Sequence, residues 1–110
     1  MPKYLVLYRA DVPADAQMAT ATPEQAQEGM ALWMQWAEEA GDAIVDLGSP
    51  LVLAGTVGDA TDGDMPIGGF SILQADSRDA ITRLLKDHPH FHMPGKSAIE
   101  IHEFAPMPGT

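Results

Sequence analysis

The hydrophobic pattern of the chain runs strand, helix, strand, strand, helix, strand, and that order leaves few folds open. "KYLVLYR" at residues 3–9 is short, apolar and rich in side chains that suit a pleated surface, and a Pro/Ala/Asp-rich loop follows it. "TPEQAQEGMALWMQWAEEAG" then carries the marks of a helix start: Thr22 as N-cap, Pro23 at the first helical position and Gln25 as the reciprocal partner of a capping box. Ala26, Met30, Trp33, Ala37 and Ala40 recur at spacings of three and four and form the core stripe, with Trp36 packing at its edge. Glu24, Glu28, Gln35 and Glu39 make the wet face. Gly41 offers an ending, with "DAIVDLG" as a further turn before Gly48 and Pro50 stop the helix.

"LVLAGTV" at 51–57 reads as the second strand and "GGFSILQA" at 68–75 as the third, joined by the loop "GDATDGDMPI". Asp76 or Ser77 caps a second helix, "SRDAITRLLKDH", with Ile81, Leu84, Leu85 and His88 on one stripe and Pro89 closing it. "SAIEIHEF" alternates Ile99 and Ile101 against Ala98, Glu100, His102 and Phe104, as a last strand does. The fold class expected is α+β: a ferredoxin-like βαββαβ protomer, with an antiparallel four-stranded sheet and two helices on one face, since right-handed crossovers put both helices on the same side. A chain of 110 residues suits a single domain over 1–110, with a tail from about 105.

One sheet face is then bare. Tyr4, Val6, Tyr8 and Phe104 are expected on it, with Leu5 and Leu7 on the other side of the first strand. So much exposed apolar surface calls for a partner, and a homodimer through the open face is the economical one. Sixteen acidic against six basic residues give a net charge of −10, which repels nucleic acid and anionic membranes. No signal-like or membrane-length apolar run is present, so a cytoplasmic location is expected. With no cysteine, thiolate chemistry and Cys-ligated zinc are excluded.

"YLVLY" at the start, "DGDMPIGGF" with Asp62, Gly63, Gly68, Gly69 and Phe70, and "HPHF…SAIEIHEF" at the end resemble the YCII-related family over nearly the whole chain. The resemblance implies protomers that pair sheet to sheet as a dimeric α/β barrel, with a cleft between sheet and loops. Proposals of activity in that family invoke a His and Asp pair in the cleft. No histidine here precedes His88, so an acid/base site has to be built from the C-terminal histidines.

Two constellations carry chemistry. "HPHFH" sets His88, His90 and His92 on alternate residues; an extended chain would project them to one side, where two of them with Glu100 have the donor types for Zn²⁺ or Ni²⁺. The spacing matches no zinc signature, and the alternative is a histidine-rich turn in which His88 caps the second helix. "DATDGD" lacks the Gly and Glu placement of a calcium loop. No cofactor and no metal site is therefore assigned.

Glu100 and His102 share one face of the last strand and look into the expected barrel, either as an acid/base pair or as partners of Arg9, Lys3 or a Tyr hydroxyl that stitch the interface. The candidate proton carriers are His88, His90, Glu100 and His102, with Tyr8, Arg9, Asp62 and Phe70 as ligand contacts. The function expected is small-molecule binding with general acid/base chemistry. The alternatives are a non-catalytic homodimeric interaction module and a His-rich metal binder.

Overall fold

The computed structural model describes residues 1–12, 14–59, 65–92 and 95–107. Strand β1 spans Lys3–Ala10, followed by a short helix α1 (Ala14–Thr20) where a loop is expected, and by the long helix α2 (Pro23–Ala40). Strands β2 (Ile44–Pro50) and β3 (Ile67–Gln74), helix α3 (Arg78–Leu85) and strand β4 (Ser97–Glu103) complete the order. The sheet order is β2-β3-β1-β4 with every neighbouring pair antiparallel, which is the ferredoxin-like α+β arrangement.

Helix α2 begins as its sequence dictates. Thr22 Oγ1 accepts the Gln25 N–H at 3.1 Å and Gln25 Oε1 accepts the Thr22 N–H at 3.0 Å, so two otherwise orphaned donors are satisfied reciprocally. Thr22→Ala is expected to cost about 1 kcal/mol, read as a shifted urea midpoint at unchanged slope. The helix ends at Gly41, whose φ of +54° suits glycine; a 3₁₀ turn over Gly41–Ala43 then leads directly into β2.

Strand two is therefore residues 44–50 and not 51–57 as the apolar run suggests. Two register slips against β3, between Ile44 and Asp46 and between Asp46 and Ser49, break the alternation of "IVDLGSP" and hide the strand from a period-two reading. Residues 51–57 have no regular secondary structure; Leu51 donates its N–H to the Gly68 carbonyl, and Val52, Leu53 and Val57 stay exposed.

The core lies between the sheet and helices α2 and α3: Tyr4, Val6, Tyr8 and Leu73 from the sheet meet Trp36, Ile81 and Leu85, flanked by Trp33, Ala37, Ile99 and Ile101. Met30, expected on the α2 stripe, is 62% exposed, so the helix packs through its C-terminal half only. Ile99 and Ile101 face the helices as expected. The first strand is turned the other way: Tyr4, Val6 and Tyr8 are buried under the helices, and Leu5 and Leu7 occupy the open face. Register explains this. Ile99 pairs with Tyr8 and Ile101 with Val6, and directly opposed residues share a face, so the β1 side chains beside the two isoleucines must be the Tyr4, Val6 and Tyr8 set.

The open face is apolar at its centre, with Leu5, Leu7, Phe70 and Ile72 partly exposed and mutually paired. The molecule is a two-layer slab, 48 × 40 × 19 Å, with a Cα radius of gyration of 15.0 Å; a compact chain of this length would have about 13 Å. Among the described residues no helix is long and apolar enough to cross a membrane.

Candidate functional site

The four expected proton carriers separate into two groups on opposite faces of the sheet. Glu100 and His102 stand on the open face, opposite Leu7 and Leu5 of β1. Glu100 bridges two donors: Oε2 lies 3.2 Å from Arg9 Nη1 and Oε1 lies 3.1 Å from His102 Nε2. Arg9 is held from its other side by an Nε–H bond of 2.7 Å to the Met65 carbonyl. The hydrogen bond from His102 comes first, and the Arg9 charge next, in holding the Glu100 carboxyl below the usual carboxylate range; partial burial opposes both. A carboxylate only accepts, so Nε2 of His102 carries the proton and Nδ1 is the nitrogen left with a lone pair. In a lone protomer Glu100 and His102 keep 41% and 54% of their side chains exposed, so water screens the pair and it is worth little to stability.

His88 and His90 lie on the helix side. The expectation of an extended chain after Pro89 fails, because Pro89–His92 is a 3₁₀ turn: His88 and His90 are buried and His92 is exposed. Among the described residues no three His, Asp or Glu side chains converge as a metal would require. His88 is enclosed by Trp36, Trp33 and Tyr8, with ring centroids at 4.4, 4.5 and 4.9 Å, the two indoles edge-to-face. Its Nδ1 accepts the His90 backbone N–H at 2.9 Å, so Nε2 bears the hydrogen and has no hydrogen-bond partner among the described residues. Burial first, and the neighbouring His90 second, push the His88 pKa down to about 3, which keeps the ring neutral. His90 in turn sets its Nε2 2.8 Å from the Arg9 carbonyl.

Tyr8, expected on the open face as a ligand contact, belongs to this buried side. Its hydroxyl donates to Ser71 Oγ at 2.8 Å, Ser71 donates to the Leu47 carbonyl, and burial raises the phenol to about 12. Phe70 does stand on the open face, opposite Leu7 and Ser49. Asp62 falls outside the described residues. Sequence reading passed over Ser71, whose signal was a hydroxyl in the middle of an apolar strand, and over the aromatic enclosure of His88, which only the packing of α2 and β1 around the segment after α3 creates.

Two surface hollows among the described residues lie elsewhere, one along Leu51, Val52, Leu53, Ala54 and Ile67, the other between Met1, Asp42 and Leu84; neither includes Glu100 or His102. With Glu100 and His102 this exposed, the open-face site lies at the surface of the lone protomer.

No family model matches the chain, and no curated protein sequence does. Among solved structures the chain is similar to the 5-chloro-2-hydroxyhydroquinone dehydrochlorinase TftG from Burkholderia phenoliruptrix AC1100, in complex with 2,5-dihydroxybenzoquinone. The two are 23% identical, the match covers 88% of this chain and 90% of that chain, and the TM-score is 0.50. The likeness is one of fold, and it supports the fold expected from the YCII-related resemblance.

Proposed function

We propose that a second copy of the chain covers the open sheet face, giving a dimeric α/β barrel, and that Arg9, Glu100 and His102 bind a small oxygenated organic molecule in the chamber so formed and move a proton on it. The observation that carries this reading is Glu100 bridging Arg9 and His102 beside the apolar centre of the open sheet face. An ion pair with an attached imidazole on such a face costs free energy once the face is buried unless a ligand or a partner group completes it. TftG, of the same fold, holds a dihydroxybenzoquinone, so a ring bearing acidic hydroxyls is a fitting ligand class.

The chemistry follows from the tautomer. Nδ1 of His102 takes a proton from a substrate hydroxyl; the O–H bond breaks, an N–H bond forms, and the negative charge remains on the substrate oxygen, where the Arg9 guanidinium offsets it. Glu100 stabilises the imidazolium and keeps the ring oriented. Phe70, Leu5 and Leu7 supply an apolar wall for the ring.

2,5-Dihydroxybenzoquinone itself is the probe, titrated by calorimetry into the untagged protein. Binding is expected in the wild type and is expected to fall by about tenfold or more in Arg9→Met, Glu100→Gln and His102→Ala, as for loss of a hydrogen bond to a charged group. Leu7→Asp is expected to split the dimer and abolish binding, with sedimentation as the check. Undiminished binding in Glu100→Gln and His102→Ala would sink the acid/base reading, and a stable monomer at micromolar concentration would sink the chamber. A dimer that ignores the probe in every variant would mark a non-catalytic pairing module.

A further inference from the structure

We infer that His90, buried on the helix side of the sheet, is a positioning residue for the open-face site: it clamps the Arg9 carbonyl from behind and so aims the Arg9 guanidinium at Glu100. For its bearing on ligand binding this rests on the function proposed above; as a statement about geometry it does not.

Arg9 sits at a slip of the β1–β3 ladder. Tyr8 pairs with Gly69 and Arg9 with Ile67, so Gly68 is left over and the β1–β3 ladder slips at Arg9. At that slip His90 Nε2 lies 2.8 Å from the Arg9 carbonyl oxygen, and since a carbonyl only accepts, Nε2 must be the donor. His90 is held in its turn by its backbone N–H bond to His88 Nδ1, and His88 is wedged among Trp33, Trp36 and Tyr8. A path of ring contacts, hydrogen bonds and the Arg9 side chain thus crosses the sheet: the aromatic enclosure fixes His88, His88 fixes the turn that carries His90, His90 fixes the Arg9 backbone, and Arg9 reaches Glu100 at 3.2 Å and through it His102. Two of the three adjacent histidines are therefore accounted for by one open-face residue on the far side of the strand.

The tautomer is tested in the unaltered protein by ¹⁵N imidazole NMR, where His90 is expected to carry hydrogen on Nε2; a ring protonated on Nδ1 alone overturns the clamp. The aiming is tested by following the Glu100 carboxyl titration with ¹³C NMR in variants. His90→Phe keeps a ring without the donor and is expected to reproduce most of the upward movement that Arg9→Met itself produces. His90→Gln keeps an N–H for the carbonyl and is expected to retain the wild-type titration. His92→Ala, on the exposed end of the turn, is expected to leave it unchanged. If His90→Phe and His90→Gln both behave as wild type, or both as Arg9→Met, the donor is irrelevant and the inference falls. Should His90→Phe not fold, the ¹⁵N result and His90→Gln decide, a Gln variant titrating like Arg9→Met being the contrary outcome. None of these readouts needs a ligand, so they separate failure of the clamp from failure of the proposed binding.

Discussion

Lowering the pH from 7 to 4.5 is expected to destabilise the protein by about 2–3 kcal/mol through His88 alone. The ring is fully buried among Tyr8, Trp33 and Trp36, and its pKa of about 3 lies well below the ordinary value of 6.5. A folded-state pKa below the unfolded one means that the unfolded chain binds the extra proton first. The stabilisation is therefore complete above about pH 6.5 and is lost as pH falls toward 3, at about 1.4 kcal/mol per pH unit. Because folded domains hold only about 5–15 kcal/mol in total, this is a large share. His88→Phe keeps an aromatic filler but cannot titrate. It also leaves the His90 N–H without its acceptor, at a cost of about 1–3 kcal/mol at neutral pH. Urea midpoints for the two proteins between pH 5 and 7.5 check this: a falling line in the wild type and a nearly flat one in the variant. The same fall in both would place the responsible group elsewhere. Glu100 acts in a lower window with the same sign, since its carboxyl is also held below the ordinary range, so its contribution is lost only as pH drops through that lowered value.

Gly48→Ala is expected to cost about 3–5 kcal/mol, the range of substitutions that force backbone apart. Gly48 has φ of +84° and lies where β2 slips against β3; a methyl there would run into the backbone carbonyl of Phe70 and crowd the Cα of Ser71. Neither is a flexible group that can swing aside, so β2 must lift. The bulge is shaped locally by Asp46, whose Oδ1 accepts the Gly48 N–H at 2.8 Å. Gly29→Ala in α2 is the control: nothing stands within 4 Å of the new methyl, and an interior helical glycine replaced by alanine gains about 0.5–1 kcal/mol. Thermal unfolding of the pair should move in opposite directions. Equal midpoints would mean that β2 is not pinned through Gly48.

What was legible in the sequence was what neighbours in the chain decide. Thr22, Pro23 and Gln25 mark the start of α2 because capping acts across three residues, and Ser77 does the same for α3 by accepting the Ala80 N–H. Alternation in "SAIEIHEF" puts Ile99 and Ile101 on one face and Glu100 and His102 on the other whatever surrounds the strand. The ferredoxin-like order and an uncovered sheet face follow from such local patterns together with the handedness of crossovers.

The rest depended on register and packing between distant segments. Both sets of β1 side chains are apolar, so alternation could not say whether Tyr8 or Leu7 meets the helices; the pairing of Tyr8 with Ile99 decides it. Two slips against β3 concealed β2 at Ile44–Pro50 behind the more strand-like residues 51–57. The cluster of histidines was evident as residues, yet a 3₁₀ turn, and not an extended chain, buries His88 and His90 and leaves Glu100 and His102 across the sheet from them. The sequence determined which side chains of one strand travel together, because the backbone's geometry alternates them; only the tertiary structure decided which strands' faces coincide, because register is a contact between residues far apart in the chain.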